Sequence, residues 1–154
     1  MGDADFRFLD PGPLVDRDLR LMLVETKPAD PDRGFVPAYV FDMVLDGTPI
    51  TVGSINLRIG NTDFLVRYGG HIGYHVFPEH RGHRFAARAC RLLFPLARTH
   101  GLTPLWITVT PENTPSRRTC EILGATMVEI VDVPPDCDMY AEGERRKCRY
   151  RVDP

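Results

Sequence analysis

Apolar residues in the first half of the chain recur at every second position. Leu19, Leu21 and Leu23 alternate with Arg20, Met22 and Val24, which predicts a strand, and Tyr39, Phe41, Met43 and Leu45 repeat the pattern. Asp46-Gly47 then supplies a hairpin turn. In the strand that follows, the apolar phase slips by one residue, from Ile50 and Val52 to Ile55, Leu57 and Ile59. A bulge near Gly53-Ser54 would absorb the slip. Pro28 through Pro37 reads as a turn-rich connection and Gly60-Asn61 as a turn, and after Gly69-Gly70 a further strand runs from Ile72 to Phe77.

The period changes at Phe85. Phe85, Ala86, Ala89, Leu92, Leu93, Leu96 and Ala97 form one helical stripe, which predicts an amphipathic helix lying on a sheet. Pro95 should kink or break it, and Gly101 should end it. Leu105 to Val109 is a continuous apolar run, the pattern of a strand buried on both faces. A second helix spans roughly Pro115 to Leu123 and stops at Gly124. Strands from Met127 to Val133 and from Lys147 to Val152 follow. The last places Cys148, Tyr150 and Val152 opposite Lys147, Arg149 and Arg151. The fold class is therefore α+β, a mixed and mostly antiparallel sheet covered by helices. Its strand–helix–strand crossover makes two strands parallel neighbours, right-handed in nearly all such units.

A chain of 154 residues with this order is read as a single domain over residues 1–154. The hydrophobic fraction of 43% and net charge of −2 exclude a disordered chain. No apolar run approaches the ~18 residues of a membrane span, and the charged start Met1-Gly-Asp-Ala-Asp-Phe-Arg7 is not a secretory leader, so a cytoplasmic location is expected. The 4 cysteines, Cys90, Cys120, Cys137 and Cys148, form no C-x-x-C pair and are read as reduced thiols. The 21 acidic residues balance the 19 basic ones, so the chain as a whole is no polyanion binder. A nucleic-acid partner would need the local row Arg81, Arg84, Arg88 and Arg91, and a solvated helix face is the plainer account of that row.

The segment richest in chemistry joins a strand to a helix through a short basic turn, Val76 to Ala86. The first amides of a helix lack internal partners and sit at the positive end of its dipole, so this turn is suited to phosphate oxygens. Four histidines, His71, His75, His80 and His83, fall in or beside it. His71 and His75 stand about 13 Å apart on one strand, too far to share a zinc ion, and no metal is expected.

Two motifs carry a family resemblance. Val76-Phe77-Pro78-Glu79 precedes Arg81-Gly82-His83-Arg84-Phe85-Ala86, and Asn113-Thr-Pro-Ser116 opens a helix that closes with Leu123-Gly124-Ala125. Together they resemble the V-x-P-E, R/Q-x-x-G-x-G/A and N-x-x-S/A signatures of the GNAT-type N-acetyltransferases over residues 70–133. Ile72-Gly73-Tyr74 is similar in wording to the branch containing the ribosomal-protein acetyltransferases. The resemblance implies two parallel strands splayed around acetyl-CoA. It implies that Val76 offers backbone groups to the pantetheine, and that the Arg81 motif, with the amides of Gly82, His83, Arg84, Phe85 and Ala86, cradles the pyrophosphate. Asn113 and Ser116 would touch the pantetheine arm.

The chain departs from the pattern at three places. Arg84 replaces the first motif glycine, so its side chain must turn away from the phosphates or clamp them. Cys120 stands where many members have a tyrosine that protonates the departing thiolate; it is either that acid or a small buried filler. The strand glutamate that often serves as base is absent, and His71 or His75 is the candidate in its place.

The function these features predict is acetyl-CoA-dependent N-acetyl transfer to a primary amine by direct attack, with Val76 and nearby amides stabilising the oxyanion. The alternative is a non-catalytic module that holds CoA or an acyl-CoA, motivated by Arg84, Cys120 and the missing glutamate. The family usually places helices between its first two strands, and Pro28 to Pro37 is too short for them. The acceptor site is therefore open or completed by a second copy in a homodimer, and it suits a peptide or protein N-terminus as well as a small amine.

Overall fold

The computed structural model describes residues 6–154. Strands β1 (Val15–Asp16), β2 (Leu19–Lys27), β3 (Ala38–Leu45), β4 (Thr51–Arg58) and β5 (Ile72–Val76) form one antiparallel sheet in chain order. The alternation read in the sequence sets its inner face: Leu19, Leu21, Tyr39, Phe41, Met43, Ile55 and Leu57 are buried. Helix α1 (Phe85–Thr99) belongs to the same core, contributing Phe85, Ala89, Cys90, Leu93, Leu96 and Ala97. Each large side chain so buried contributes about 1.5–3 kcal/mol.

The bulge falls at Val52, beside the predicted pair. Met43 faces Gly53 while Val44 faces Thr51, so one residue of β4 is left over. Gly53 has its own reason to be glycine. A Cβ there would stand 2.3 Å from the His75 carbonyl oxygen, so only a bare backbone lets β4 and β5 approach at this point.

Helix α1 differs from the prediction in two respects. It runs unbroken through Pro95, which is exposed, so the hydrogen bond proline cannot donate is lost on the solvent side. Its buried face also includes Ala87 and Arg88, whereas Ala86 and Leu92 are only half-buried. Arg88 is buried because it ties α1 to the β1–β2 turn. Its Nε donates to the Asp16 carboxylate at 2.6 Å and its Nη2 to Asp18 at 2.6 Å. The basic row Arg81, Arg84, Arg88 and Arg91 is thus neutralised in its middle and is not a continuous cationic stripe.

Strands β6 (Leu105–Val109), β7 (Thr126–Asp132) and β8 (Arg146–Val152) form a second antiparallel sheet in the order β6-β8-β7. Helix α2 (Thr114–Ile122) joins β6 to β7, and a short helix α3 (Asp138–Ala141) precedes β8. Strand β6 is not buried on both faces. Leu105, Ile107 and Val109 are buried, but Trp106 is half-buried under the Arg149 guanidinium, 4.1 Å from its ring. In β8 both faces are covered, because Arg149 also pairs with Glu129 and Lys147 with Glu144.

The expected parallel neighbours, β5 and β6, share no ladder among the described residues. They meet at one end only, where the His71 N–H donates to the Trp106 carbonyl at 2.7 Å. The architecture is α+β with the strand–helix–strand unit splayed. Residues 62–69, unassigned by the sequence pattern, form a helical turn ending at Leu65–Gly69. Thr108 Oγ1 donates to the Tyr68 carbonyl at 2.6 Å and Arg149 Nη2 to the Val66 carbonyl at 3.0 Å, which hold the turn against the second sheet. Between β2 and β3 the chain makes only a single 3-10 turn, Pro31–Arg33, closed by Gly34 in the left-handed region (φ 74). No helix among the described residues is long and apolar enough to cross a membrane.

Candidate active site

A cleft of about 530 Å³ opens where β5 leaves β6. Tyr74, His75 and Val76 on β5 line one wall, Arg81, Gly82, Arg84, Phe85 and Ala86 form the end, and Asn113, which precedes α2, with Ser116 and Thr119 on α2 line the other wall. Arginines 81, 84 and 118 border it, and no carboxylate does among the lining residues.

The end of the cleft is the N-terminus of α1. The first intrahelical bond runs from Arg88 N to the Arg84 carbonyl at 3.0 Å, which leaves the amides of Phe85, Ala86 and Ala87 without helical acceptors. Arg84 caps the helix with φ 58, in the left-handed conformation that the motif glycine would adopt freely. Gly82 (φ 97) makes the turn before it. An arginine thus holds a left-handed turn that glycine would adopt without strain, and the start of α1 stays at the end of the cleft. Arg81 folds back: its Nε donates to the Val76 carbonyl at 3.2 Å, bracing the turn against β5. His83 borders a neighbouring concavity and not the cleft.

Asn113 caps α2, its Oδ1 accepting from Ser116 N at 3.2 Å, and this holds the Ser116 side chain toward β5. Ser116 Oγ lies 2.7 Å from Tyr74 Oη, a hydrogen bond across the cleft floor. Arg117 points elsewhere, to the Tyr150 hydroxyl at 3.1 Å.

Two candidates for chemistry are withdrawn from the cleft. His71 is fully buried. Its Nδ1 accepts from Trp106 N at 2.9 Å and its Nε2 faces the Gly60 carbonyl at 2.9 Å, so Nε2 carries the proton and no lone pair is free. Burial also pulls its pKa down. His71 is a strap between strands. Cys120 is likewise fully buried and does not line the cleft, and burial pushes its thiol up to about 12; it is a small core residue out of reach of a bound thiolate. The sequence pattern missed Tyr74. Its place among the apolar positions of β5 reads as core, but a tyrosine at the edge of an apolar wall presents its hydroxyl to the rim. Burial raises the Tyr74 pKa, which keeps the hydroxyl protonated. Among the described residues no three His, Cys, Asp or Glu side chains gather around a metal position.

A strand–turn–helix unit whose helix N-terminus opens on the gap between splayed strands defines a class of fold, and known proteins agree on it. The acetyltransferase (GNAT) domain profile matches residues 2–126, and the chain belongs to that family. Among solved structures it is similar to a candidate ribosomal-protein-serine acetyltransferase from Vibrio cholerae, at 17% identity and TM-score 0.66, over 95% of this chain and 100% of that one. A GNAT-family acetyltransferase from Bacillus anthracis matches at 22% identity and TM-score 0.58, over 74% of this chain and 65% of that one. The microcin self-immunity acetyltransferase MccE, in complex with acetyl-CoA and AMP, matches at 14% identity and TM-score 0.59, over 76% of this chain and 61% of that one. The chain therefore spans less than two thirds of the length of the last two. No curated protein matches the sequence.

Proposed function

We propose that the protein is an N-acetyltransferase that takes acetyl-CoA as acyl donor and a primary amine as acceptor. The observation that carries this reading is the convergence of Val76, the free amides of α1 and the Asn113–Ser116 cap on one cleft. The set fits the donor: unpartnered amides and arginines for a diphosphate, and an apolar strand edge for a pantetheine arm. When bound, acetyl-CoA supplies the activated acetyl group.

The chain's own residues divide the remaining work. The amides of Phe85 and Ala86, with Arg84, hold phosphate oxygens. Ser116 positions the arm and keeps Tyr74 oriented. His75 is exposed and lines the cleft, and it takes the proton from the incoming ammonium, since an imidazole is a base suited to neutral pH. Tyr74, which lines the cleft where Cys120 does not, returns a proton to the departing thiolate and recovers one from solvent.

The acceptor approaches over the outer face of the first sheet. Register puts Asp42, Ser54 and His75 side by side on β3, β4 and β5. Asp42 is half-buried with no ion-pair partner among the described residues, which suits it to an acceptor ammonium. With only one 3-10 turn between β2 and β3, this approach suits a peptide or protein N-terminus.

The test is thiol release from acetyl-CoA in the presence of a panel of peptides with different N-terminal residues. Transfer that falls at least tenfold in an Arg81→Ala, Asn113→Ala double variant supports the reading. Burial of Cys120 favours one other account, a CoA-holding module without turnover, and acetyl-CoA binding with no release on any peptide would establish it.

A further inference from the structure

The outer face of the first sheet holds a half-buried positive charge beside the proposed base. On β4 the alternation that buries Ile55 and Leu57 turns Ser54, Asn56 and Arg58 to the opposite face. Register sets Asn56 against Gly73 on β5, two residues along from the Ser54–His75 pair. The Arg58 guanidinium bends back over the same spot. A Cβ on Gly73 would stand 3.0 Å from Arg58 Nη2 and 3.1 Å from Asn56 Oδ1, so the two polar groups gather over bare backbone.

Each group keeps a donor in reserve. Arg58 Nη1 donates to the Gly69 and Gly70 carbonyls, at 3.1 and 2.9 Å, which fixes the side chain. Among the described residues its Nε and Nη2 have no partner, and no carboxylate pairs with it. No polar side-chain atom among those residues is buried without a partner, so these donors open toward solvent. Asn56 Oδ1 accepts from Gly73 N at 3.2 Å, which leaves its Nδ2 to donate. Burial lowers the Arg58 pKa, because the guanidinium has lost water without gaining a counter-charge.

We propose that Asn56 and Arg58 form a carboxylate subsite through which the protein selects peptide acceptors with an acidic second residue. This rests on the acceptor reading above, in which the peptide N-terminus lies between Asp42 and His75. Gly73 is about 7 Å from His75 along the same face of β5. In an extended peptide the carboxylate of the second side chain stands at a comparable distance from the terminal nitrogen. The carboxylate of a first side chain falls short of it, and that of a third overshoots. The charges complement each other: the ammonium meets Asp42 and the carboxylate meets the unpaired guanidinium, whose fork matches two oxygens.

The experiment is steady-state thiol release from acetyl-CoA by the full chain, with three peptides identical except for Glu, Gln or Lys at the second position. For the wild type, kcat/KM on the Glu peptide should exceed that on the Gln peptide at least tenfold, chiefly through KM, with the Lys peptide slowest. Arg58→Gln should bring the Glu-to-Gln ratio below about threefold. Because Arg58 also braces Gly69 and Gly70, Asn56→Asp serves as a second variant. It keeps an oxygen for the Gly73 N–H and gives Arg58 a carboxylate within the chain, so the ratio should fall in the same way. Equal rates on the Glu and Gln peptides in the wild type would overturn the subsite and leave the acetyltransferase reading standing. An unchanged ratio in Asn56→Asp would overturn the assignment to these two residues. No release with any of the three peptides would overturn the peptide-acceptor reading and this proposal together.

Discussion

His71 and Trp106 exchange two hydrogen bonds across the root of the cleft. The His71 N–H donates to the Trp106 carbonyl at 2.7 Å, and the Trp106 N–H donates to His71 Nδ1 at 2.9 Å. The pair joins the two sheets at one end of β5 and β6, and beyond it no ladder closes the gap in which Tyr74, His75 and Val76 face α2.

The strap makes stability depend on pH. Burial lowers the folded-state pKa of His71, and lowers that of His100, whose Nε2 lies 2.7 Å from the Tyr39 hydroxyl. The unfolded chain then binds more protons than the folded one between the folded value and ~6.5. The stabilisation is present in full above ~6.5 and is lost as pH falls toward the folded values. Urea unfolding at pH 7.5 and at pH 5 should show a clear loss for the wild type and a smaller one for a His71→Gln, His100→Gln variant. A variant as pH-sensitive as wild type would exclude both histidines.

Tyr74 and Cys120 separate by substitution. Tyr74→Phe should cut transfer by about 10²-fold or more, with acetyl-CoA affinity unchanged within a factor of three. Cys120→Ala should keep transfer and lose about 1 kcal/mol of stability to a small cavity. Steady-state kinetics and denaturant titration distinguish the two, and the reverse pattern would return the acid role to Cys120.

At Arg84 stability and binding should move in opposite directions. Arg84→Gly removes a left-handed non-glycine residue and should stabilise the protein by about 1 kcal/mol, while CoA affinity falls because a guanidinium leaves the phosphate cradle. Denaturant and calorimetric titrations of one preparation read both.

Gly53→Ala should be among the costlier small substitutions. Its Cβ would meet the His75 carbonyl at 2.3 Å, so the end of β5 must move. A loss of about 1–3 kcal/mol is expected, with His75 displaced and transfer reduced. A neutral outcome in thermal unfolding would mean that β5 yields freely.

Periodicity made most elements legible, because alternation on β2 to β4 and the 3.6-residue stripe on α1 each report one buried face. The division into two sheets was not legible, since nothing local encodes whether residues 71–76 pair with residues 105–109. His71 and His75 were inseparable for a related reason. They share a face of β5, and only the turn over residues 60–70, folded back onto one of them, buries His71 and leaves His75 open. Pro95 misled because the proline rule is local, whereas its consequence depends on which side of the helix faces water. Tyr74 was hidden by its apolar position, and its hydrogen bond to Ser116 spans 42 residues.

The most direct test of the central claim is thermal unfolding with acetyl-CoA, with free CoA and with ATP. A ligand at 100 times its Kd adds ~2.7 kcal/mol to folding stability, a rise of several degrees for a chain of this size. The account predicts that both CoA forms raise Tm and that ATP does not. An unchanged Tm with acetyl-CoA at millimolar concentration would contradict it, and the cleft between β5 and α2 would then have to be read as an inherited scaffold without the cofactor.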